Sequence, residues 1–418
     1  MTDNISKKKS LIFSLSIIGV LYFIFGFITW LNNLLIPFLK TACQLPDSQA
    51  YLVTFAFYIS YFIMALPSSW ILKKTGFARG MSLGLIVMAI GSLIFIPAAN
   101  TRSYILFLVG LFVQGTGLAL LQTAANPYVT ILGPIESAAK RMSIMGLFNK
   151  IAGIIGIFFL SKALLSNFDS VTKNIEAANG AAQVTLLNQL AGRIITPYLI
   201  IAIGLVLLAI MVWIANLPDI EPEEADKTSK GKSTLFDYPY LILGILALFL
   251  YEGVEVMAID TLVPYSKSIG LPDYIYSKIG MFSLAALMIG YLAGIALIPK
   301  RISQQKALTV CALLSIVFSV MALCCSGVSS LVFLILLSFS NSLMWPAIWA
   351  LAIDKLGHHT SVASALLIMA IVGGALIPLL YGHLATLWNN RQTPYFLFLP
   401  CYLYIAYYSL WGCKVGKK

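Results

Sequence analysis

Charge is what this sequence has least of. Only 10% of its 418 residues are Asp, Glu, Lys or Arg, while 60% are hydrophobic; a soluble chain carries roughly a quarter charged. That scarcity excludes a water-exposed surface around one apolar core. It calls instead for repeated apolar stretches of about 20 residues, the length that crosses a ~30 Å hydrocarbon core. Histidine is scarcer still, and His358, His359 and His383 have no ligand-like spacing with cysteine. The six cysteines lie mostly in apolar runs, with Cys43 alone in a polar turn. They make neither a disulfide framework nor a zinc motif, so no metal and no cofactor is expected. The first apolar run, about 11–39, is too long for a signal-peptide core and lacks a small-residue cleavage site, so it reads as a span.

The few charges are informative by position. The net charge of +11 is broken into short clusters between apolar segments, with no aromatic-interleaved basic surface, which excludes a nucleic-acid partner. Lys7–Lys9, Lys73, Lys74, Arg79, Lys140, Arg141, Lys227, Lys230, Lys232, Lys300, Arg301, Lys306, Lys355, Lys414, Lys417 and Lys418 fall in alternate loops. They are eighteen of the 27 cations. The excess of Lys and Arg in cytoplasmic loops then places both termini inside and makes the span count even.

The expected fold is an all-α membrane protein of twelve transmembrane helices in two pseudo-symmetric six-helix bundles. The domains are 1–216 and 238–418, joined by a cytoplasmic linker at 217–237, where acids, lysines and prolines concentrate. Spans are placed near 11–39, 49–71, 80–98, 104–131, 143–166, 193–216, 238–267, 275–298, 307–326, 329–354, 361–383 and 395–413. Segment 167–192 reads as an outer loop with a short surface helix. Asn33–Lys40 and Asp260–Lys267 match in polar, apolar, proline, aromatic and lysine positions at an offset of 227, and Lys73-Lys74 falls on Lys300-Arg301 at the same offset. A parallel repeat with proline-interrupted helices in matching places is the pattern of a two-domain rocking carrier.

Ionisable groups deep in a span cost at least ~2.5–3.5 kcal/mol each and mark candidate functional sites. The seventh span carries Glu252, Glu255 and Asp260. At 100° per residue, Glu252 and Glu255 lie 60° apart around the helix and Asp260 stands 140° from Glu255. Two carboxylates that close favour a shared proton or a bound cation; paired structural charges are the alternative. Lys150, two turns into the fifth span, either snorkels to the inner interface or pairs with an acid. Amides and indoles form a second set: Asn33, Gln122, Asn126, Asn149 and Trp345. Amides both donate and accept hydrogen bonds, and an indole offers an apolar face to the C–H side of a sugar ring. Interhelical hydrogen bonding is the alternative for each.

Several segments carry a resemblance: TWLNNLLIPFLK (29–40), FAFYISYFIMALPSSWILKK (55–74), LLQTAANPYVTILGP (120–134), FNKIAG (148–153), YEGVEVMAIDTLVPY (251–265) and SVASALLIMAIVGGALIP (361–378). Together they resemble the fucose:proton symporter family of the major facilitator superfamily, which includes bacterial glucose/galactose transporters. That resemblance implies the major facilitator fold, a bacterial inner membrane and alternating-access transport of a monosaccharide by a monomer. Cation-coupled symport is the leading form, with uncoupled facilitation as the second; a membrane-embedded enzyme would need an interfacial His or acid cluster. The family's acid in span one is Asn33 here, and the glutamate that fucose symporters place before Thr-Ala-Ala-Asn-Pro is Gln122. Their glutamine before x-Phe-Asn is Gly146. Sugar binding is therefore expected from Asn33, Gln122, Asn126, Asn149 and Trp345, and coupling to H⁺ or Na⁺ from Asp260, Glu255 and Glu252.

Overall fold

The structure, a computed structural model, describes residues 2–46, 49, 52–164, 166–215, 217, 235–272, 275 and 279–417; within these, the side chains of 2–12, 32–34, 37, 54, 157, 161, 169, 236 and 358 are outside the description. Most of the expected linker, 218–234, lies outside the described residues. The helices are α1 (Thr2–Ala42), α2 (Leu52–Thr101), α3 (Tyr104–Ile131), α4 (Ala138–Leu164), α5 (Phe168–Ala177), α6 (Ala181–Gly192), α7 (Ile195–Ile214), α8 (Pro239–Asp260), α9 (Leu262–Ser268), α10 (Ile279–Leu297), α11 (Gln304–Cys324), α12 (Gly327–Asn341), α13 (Met344–Ala352), α14 (Thr360–Met369), α15 (Gly373–Leu387) and α16 (Phe398–Leu410). No strand occurs among the described residues.

Among those residues, eleven helical runs are long and apolar enough to cross a membrane. One, Phe55–Thr101, has 47 residues, about 70 Å at 1.5 Å per residue and twice what one crossing needs. It breaks at Gly76 (φ 76°, ψ 171°), a backbone shape that glycine alone adopts without strain. The run therefore supplies two of twelve spans. Helix α7 shows which solvent surrounds them. Tyr198, Ala202, Leu205, Ala209 and Val212 form its buried stripe, while Ile200, Ile203, Leu207, Ile210 and Trp213 on the other faces are exposed. A helix apolar all round with one stripe buried is stable against hydrocarbon, not water.

The chain divides into two compact units, Met1–Ala125 with Phe148–Asp219, and Asn126–Leu147 with Ile220–Lys418. The hairpin 126–147, expected in the first bundle, thus groups with the second unit. There Gln304 Oε1 accepts a hydrogen bond from the Ala139 amide at 3.3 Å, and a Cβ on Gly146 would come 2.6 Å from the Tyr291 ring.

In the first unit, α2 and α7 run antiparallel in a register set by three contacts. Arg79 lies 5.7 Å from the Trp213 ring, Ser82 Oγ donates to the Ala209 carbonyl at 2.8 Å, and Phe95 stacks on Tyr198 at 4.1 Å. The approach of α2 to α3 is closer still: a Cβ on Gly84 would lie 2.8 Å from the Gly117 carbonyl oxygen. Small residues at such seams let helix backbones meet in lipid. Segment 167–192, expected as a loop with one short surface helix, holds two helices. It forms α5 and α6, whose Ile175, Leu187, Leu190 and Ala191 join the buried cluster around Leu35, Phe38 and Phe107. Its polar residues suggested a loop, but apolar residues at helical spacing bury one face of each helix.

In the second unit, proline sets where spans break. Pro264 and Pro346 lack the N–H that would reach back four residues, to the carbonyls of Asp260 and Ser342. Helix α8 ends at Asp260 and α12 at Asn341. Pro127, by contrast, sits inside an unbroken α3. Helices α11 and α12 are tied by Ser315 and Ser340, whose hydroxyls are 2.6 Å apart, and by Ser330 Oγ donating to the Ala322 carbonyl at 2.6 Å. All six cysteines are free thiols. Burial pushes the Cys43 thiol up to about 11.

Candidate functional site

The polar residues of the first unit gather on the seams of α1, α2, α3 and α4. Gln122 Nε2 donates to the Tyr61 hydroxyl at 3.3 Å, and Tyr61, 2% exposed, packs edge-on against Phe57. Asn149 is half-buried. Its backbone carbonyl presses on Gly26 of α1, and one turn further along both helices Gly153 presses on the Trp30 ring. Any Cβ at either glycine would overlap those atoms, so α1 and α4 meet at backbone distance. The side chain of Asn33 lies outside the described residues.

Lys150 sits on this seam, with Nζ 5.0 Å from the centroid of the Trp30 ring. Because α4 starts at Ala138, and not near 143, Lys150 is twelve residues into the helix, ~18 Å along its axis. It stands near the middle of that 27-residue helix. Placing the ammonium there costs at least ~2.5–3.5 kcal/mol, against ~0.5–2 kcal/mol returned by a cation–π contact. Snorkelling or an acid partner was expected; the structure adds an indole face.

Nine residues earlier on the same helix is a cation of another kind. Arg141, expected in a cytoplasmic loop, is 7% exposed. Its Nε donates to the Val129 carbonyl (2.8 Å), Nη1 to the Pro134 carbonyl (3.1 Å) and Ser137 Oγ (2.6 Å), and Nη2 to the carbonyls of Thr130 (2.7 Å) and Gly133 (3.2 Å). All five guanidinium N–H groups are thus filled, chiefly by carbonyls that the C-terminus of α3 leaves without helical donors. Asn126, on α3 beside this cap, is 1% exposed, and its carbonyl accepts from Thr130 Oγ1 at 3.0 Å.

In the second unit the site residues are acids and aromatics. Tyr251 donates its phenolic hydrogen to the Glu255 carboxylate, and both are buried. Trp345 stacks on Trp349 at 5.5 Å and tilts toward Tyr251 at 6.4 Å. Nearby in sequence, Asn341 Oδ1 accepts from the Tyr402 hydroxyl at 2.9 Å. Asp260 is set apart from Glu255: it is the exposed last residue of α8, ~7.5 Å further along the axis. Beside it Thr261 and Tyr395 share a hydrogen bond of 2.8 Å. Glu252 is half-buried. Among the described residues no group of three or more His, Cys, Asp or Glu could hold a metal ion.

Sequence reasoning missed the tyrosines. Tyr251 and Glu255 are four residues apart on one helix, a spacing that places them on the same face, so that pair could have been found. Tyr61 and Tyr402 could not, because their partners are distant in sequence.

The fold has known relatives. The profile of the Major Facilitator Superfamily matches residues 18–378. The chain is 36% identical over 412 residues to a protein named glucose/galactose transporter from Brucella abortus biovar 1, covering 98% of this chain and 96% of that one. It is 28% identical to the L-fucose-proton symporter of Escherichia coli K12, over 96% of this chain and 94% of that one. The crystal structure of the transporter FucP in the outward conformation superposes with a TM-score of 0.84 at 28% identity, covering 96% of this chain and 99% of that chain. The chain belongs to the Major Facilitator Superfamily. It is a multi-pass membrane protein whose relatives are named as transporters rather than enzymes.

Proposed function

We propose that this protein carries a monosaccharide across a bacterial inner membrane by alternating access, as a monomer with both termini in the cytoplasm, coupled to a cation. The observation that carries the sugar reading is the end-to-end 36% identity to a glucose/galactose transporter. The seams agree with it chemically. Gln122 and Asn149 in the first unit are half-buried amides that can donate to and accept from sugar hydroxyls, and Trp345 in the second unit is a half-buried indole. Asn33 joins them by sequence position, and Asn126 by its place one turn along α3 from Gln122.

Coupling falls to Glu255. A carboxylate buried in a span, with a phenol donating to it, is a candidate ion-coupling group by its type and place. Glu252 lies 60° away on the same helix, where two charges compete, and Asp260 is a second candidate at the helix end. One observation favours uncoupled facilitation instead: Asn33 and Gln122 are amides, so the first unit has no carboxylate to titrate at those positions.

Uptake of labelled glucose and galactose into proteoliposomes, with imposed pH or Na⁺ gradients, separates these readings. Glu255→Gln should abolish accumulation driven by a pH gradient while equilibrium exchange persists. Accumulation that responds only to Na⁺ would remove the proton assignment. Uptake that never exceeds equilibrium in the wild type would favour the facilitator.

A further inference from the structure

Cations crowd one rim of the second unit, where α10 stops, α11 begins and α16 ends. From residue 274 to 418 the sequence has nine Lys and Arg against a single acid, Asp354, and Lys417 already bridges that acid at 2.9 Å. Lys300, Arg301, Lys306 and Lys414 are exposed. Each stands where a lipid-facing surface runs out. On α11, Lys306 heads one stripe with Val310, Leu313 and Val317, at helical spacings and each at least 50% exposed. On α16 the exposed stripe is Leu403, Tyr407, Leu410 and Trp411, and Lys414 follows it. Two hydrogen bonds hold these ends side by side: Gln305 Nε2 donates to the Ser409 carbonyl at 2.7 Å, and Thr309 Oγ1 to Ser409 Oγ at 3.0 Å. Lys300 and Arg301 lie in the six-residue link from α10 to α11. Lys306 is in the first turn of α11, where a cation opposes the helix dipole, so its charge serves something outside the helix.

We infer that this rim binds an anionic phospholipid such as phosphatidylglycerol. Its phosphate sits among Lys300, Arg301, Lys306 and Lys414, and its acyl chains lie along the stripes of α11 and α16. Basic clusters at span ends take anionic headgroups in this way. Trp411, 63% exposed, supplies the amphipathic ring that settles at headgroup level. A lipid fits better than free phosphate because the apolar stripes start directly at the cations, so one molecule uses both surfaces. Net negative charge is required, since a zwitterionic headgroup carries its own cation beside the phosphate. The site does not depend on which solute the protein carries.

The test reads Trp411 fluorescence, taken as wild type minus Trp411→Phe, for the full chain in phosphatidylcholine vesicles. These are doped with brominated phosphatidylglycerol or with brominated phosphatidylcholine. Bromine quenches an indole that it touches, so half-quenching reports the lipid fraction that fills the site. Phosphatidylglycerol should half-quench at a mole fraction at least about fivefold lower, the effect of one cation near an anionic surface, and high salt should narrow that gap. The double substitution Lys306→Gln with Lys414→Gln should bring the two curves together. Equal quenching by the two lipids in the wild type overturns the inference, and so does a preference that survives the double substitution. Inorganic phosphate should leave the quenching unchanged; relief by phosphate would overturn the lipid assignment. The wild-type comparison decides even where a variant does not fold.

Discussion

Two cations on one helix, Arg141 buried and Lys150 half-buried, are held in opposite ways. Arg141, in the first turn of α4, is surrounded by oxygen, with each of its five donors on a carbonyl or a hydroxyl. Lys150, nine residues on, meets the flat face of an indole. A guanidinium whose donors are all filled by the end of a neighbouring helix has become part of the backbone hydrogen-bond pattern and has no capacity left for a ligand. An ammonium on a ring face is held by its charge, and not by a planar fork of donors. The difference teaches that burial of a charge does not by itself mark function, since a caged guanidinium serves the backbone alone.

That contrast can be broken in several ways. The largest effect is expected at Arg141. Arg141→Ala leaves a set of buried carbonyls without donors and should lower stability by ~3–5 kcal/mol, read as a fall in the melting temperature of the detergent-purified protein. Lysine at this position should not restore it, since three donors on a flexible stem cannot match a planar fork of five. Melting of Arg141→Ala within a degree of wild type would show the cage to be dispensable. A middle effect is expected from Gly153→Val. The added methyls overlap the Trp30 ring, so overpacking should cost ~1–3 kcal/mol, read as a lower melting temperature. Unchanged melting would show that the seam between α1 and α4 can yield.

The smallest effect should come from a third cation. Lys417 bridges Asp354 at 2.9 Å and donates to the Leu351 carbonyl at 3.2 Å, near the ring of Tyr240. It is neither caged nor at mid-span. Lys417→Ala should change stability by only ~0–1 kcal/mol, as a partly solvated pair does, with transport selectivity intact. A loss as large as that of Arg141→Ala would mean that pairing matters more than enclosure.

Much of the fold was legible in advance because lipid imposes a length on every helix. The apolar run ending at Ile131 was placed to the residue, and the proline-linked breaks near 264 and 346 follow from a missing N–H. Gly76 was not read as the hinge within α2, since a glycine between basic residues says nothing of its φ angle. Segment 167–192 shows one short helix in its sequence where there are two, because their buried faces are short, and Arg141 reads as a loop residue because a cation beside a turn usually stays in the loop. At the site, the residue types were visible in the sequence but their partners were not. Lys150 stood out as a charge in an apolar run, yet nothing local to it pointed to Trp30, 120 positions earlier.

What the sequence determined by itself was the solvent of each helix and the places where helices stop, since hydropathy, proline and glycine act on the chain locally. Tertiary structure alone decided which side chains fill one another's hydrogen bonds: Gln122 with Tyr61, Tyr402 with Asn341, Arg141 with the end of α3, Lys150 with Trp30. In lipid, close packing and donor–acceptor geometry hold helices together, and both depend on which faces of distant segments are brought into register.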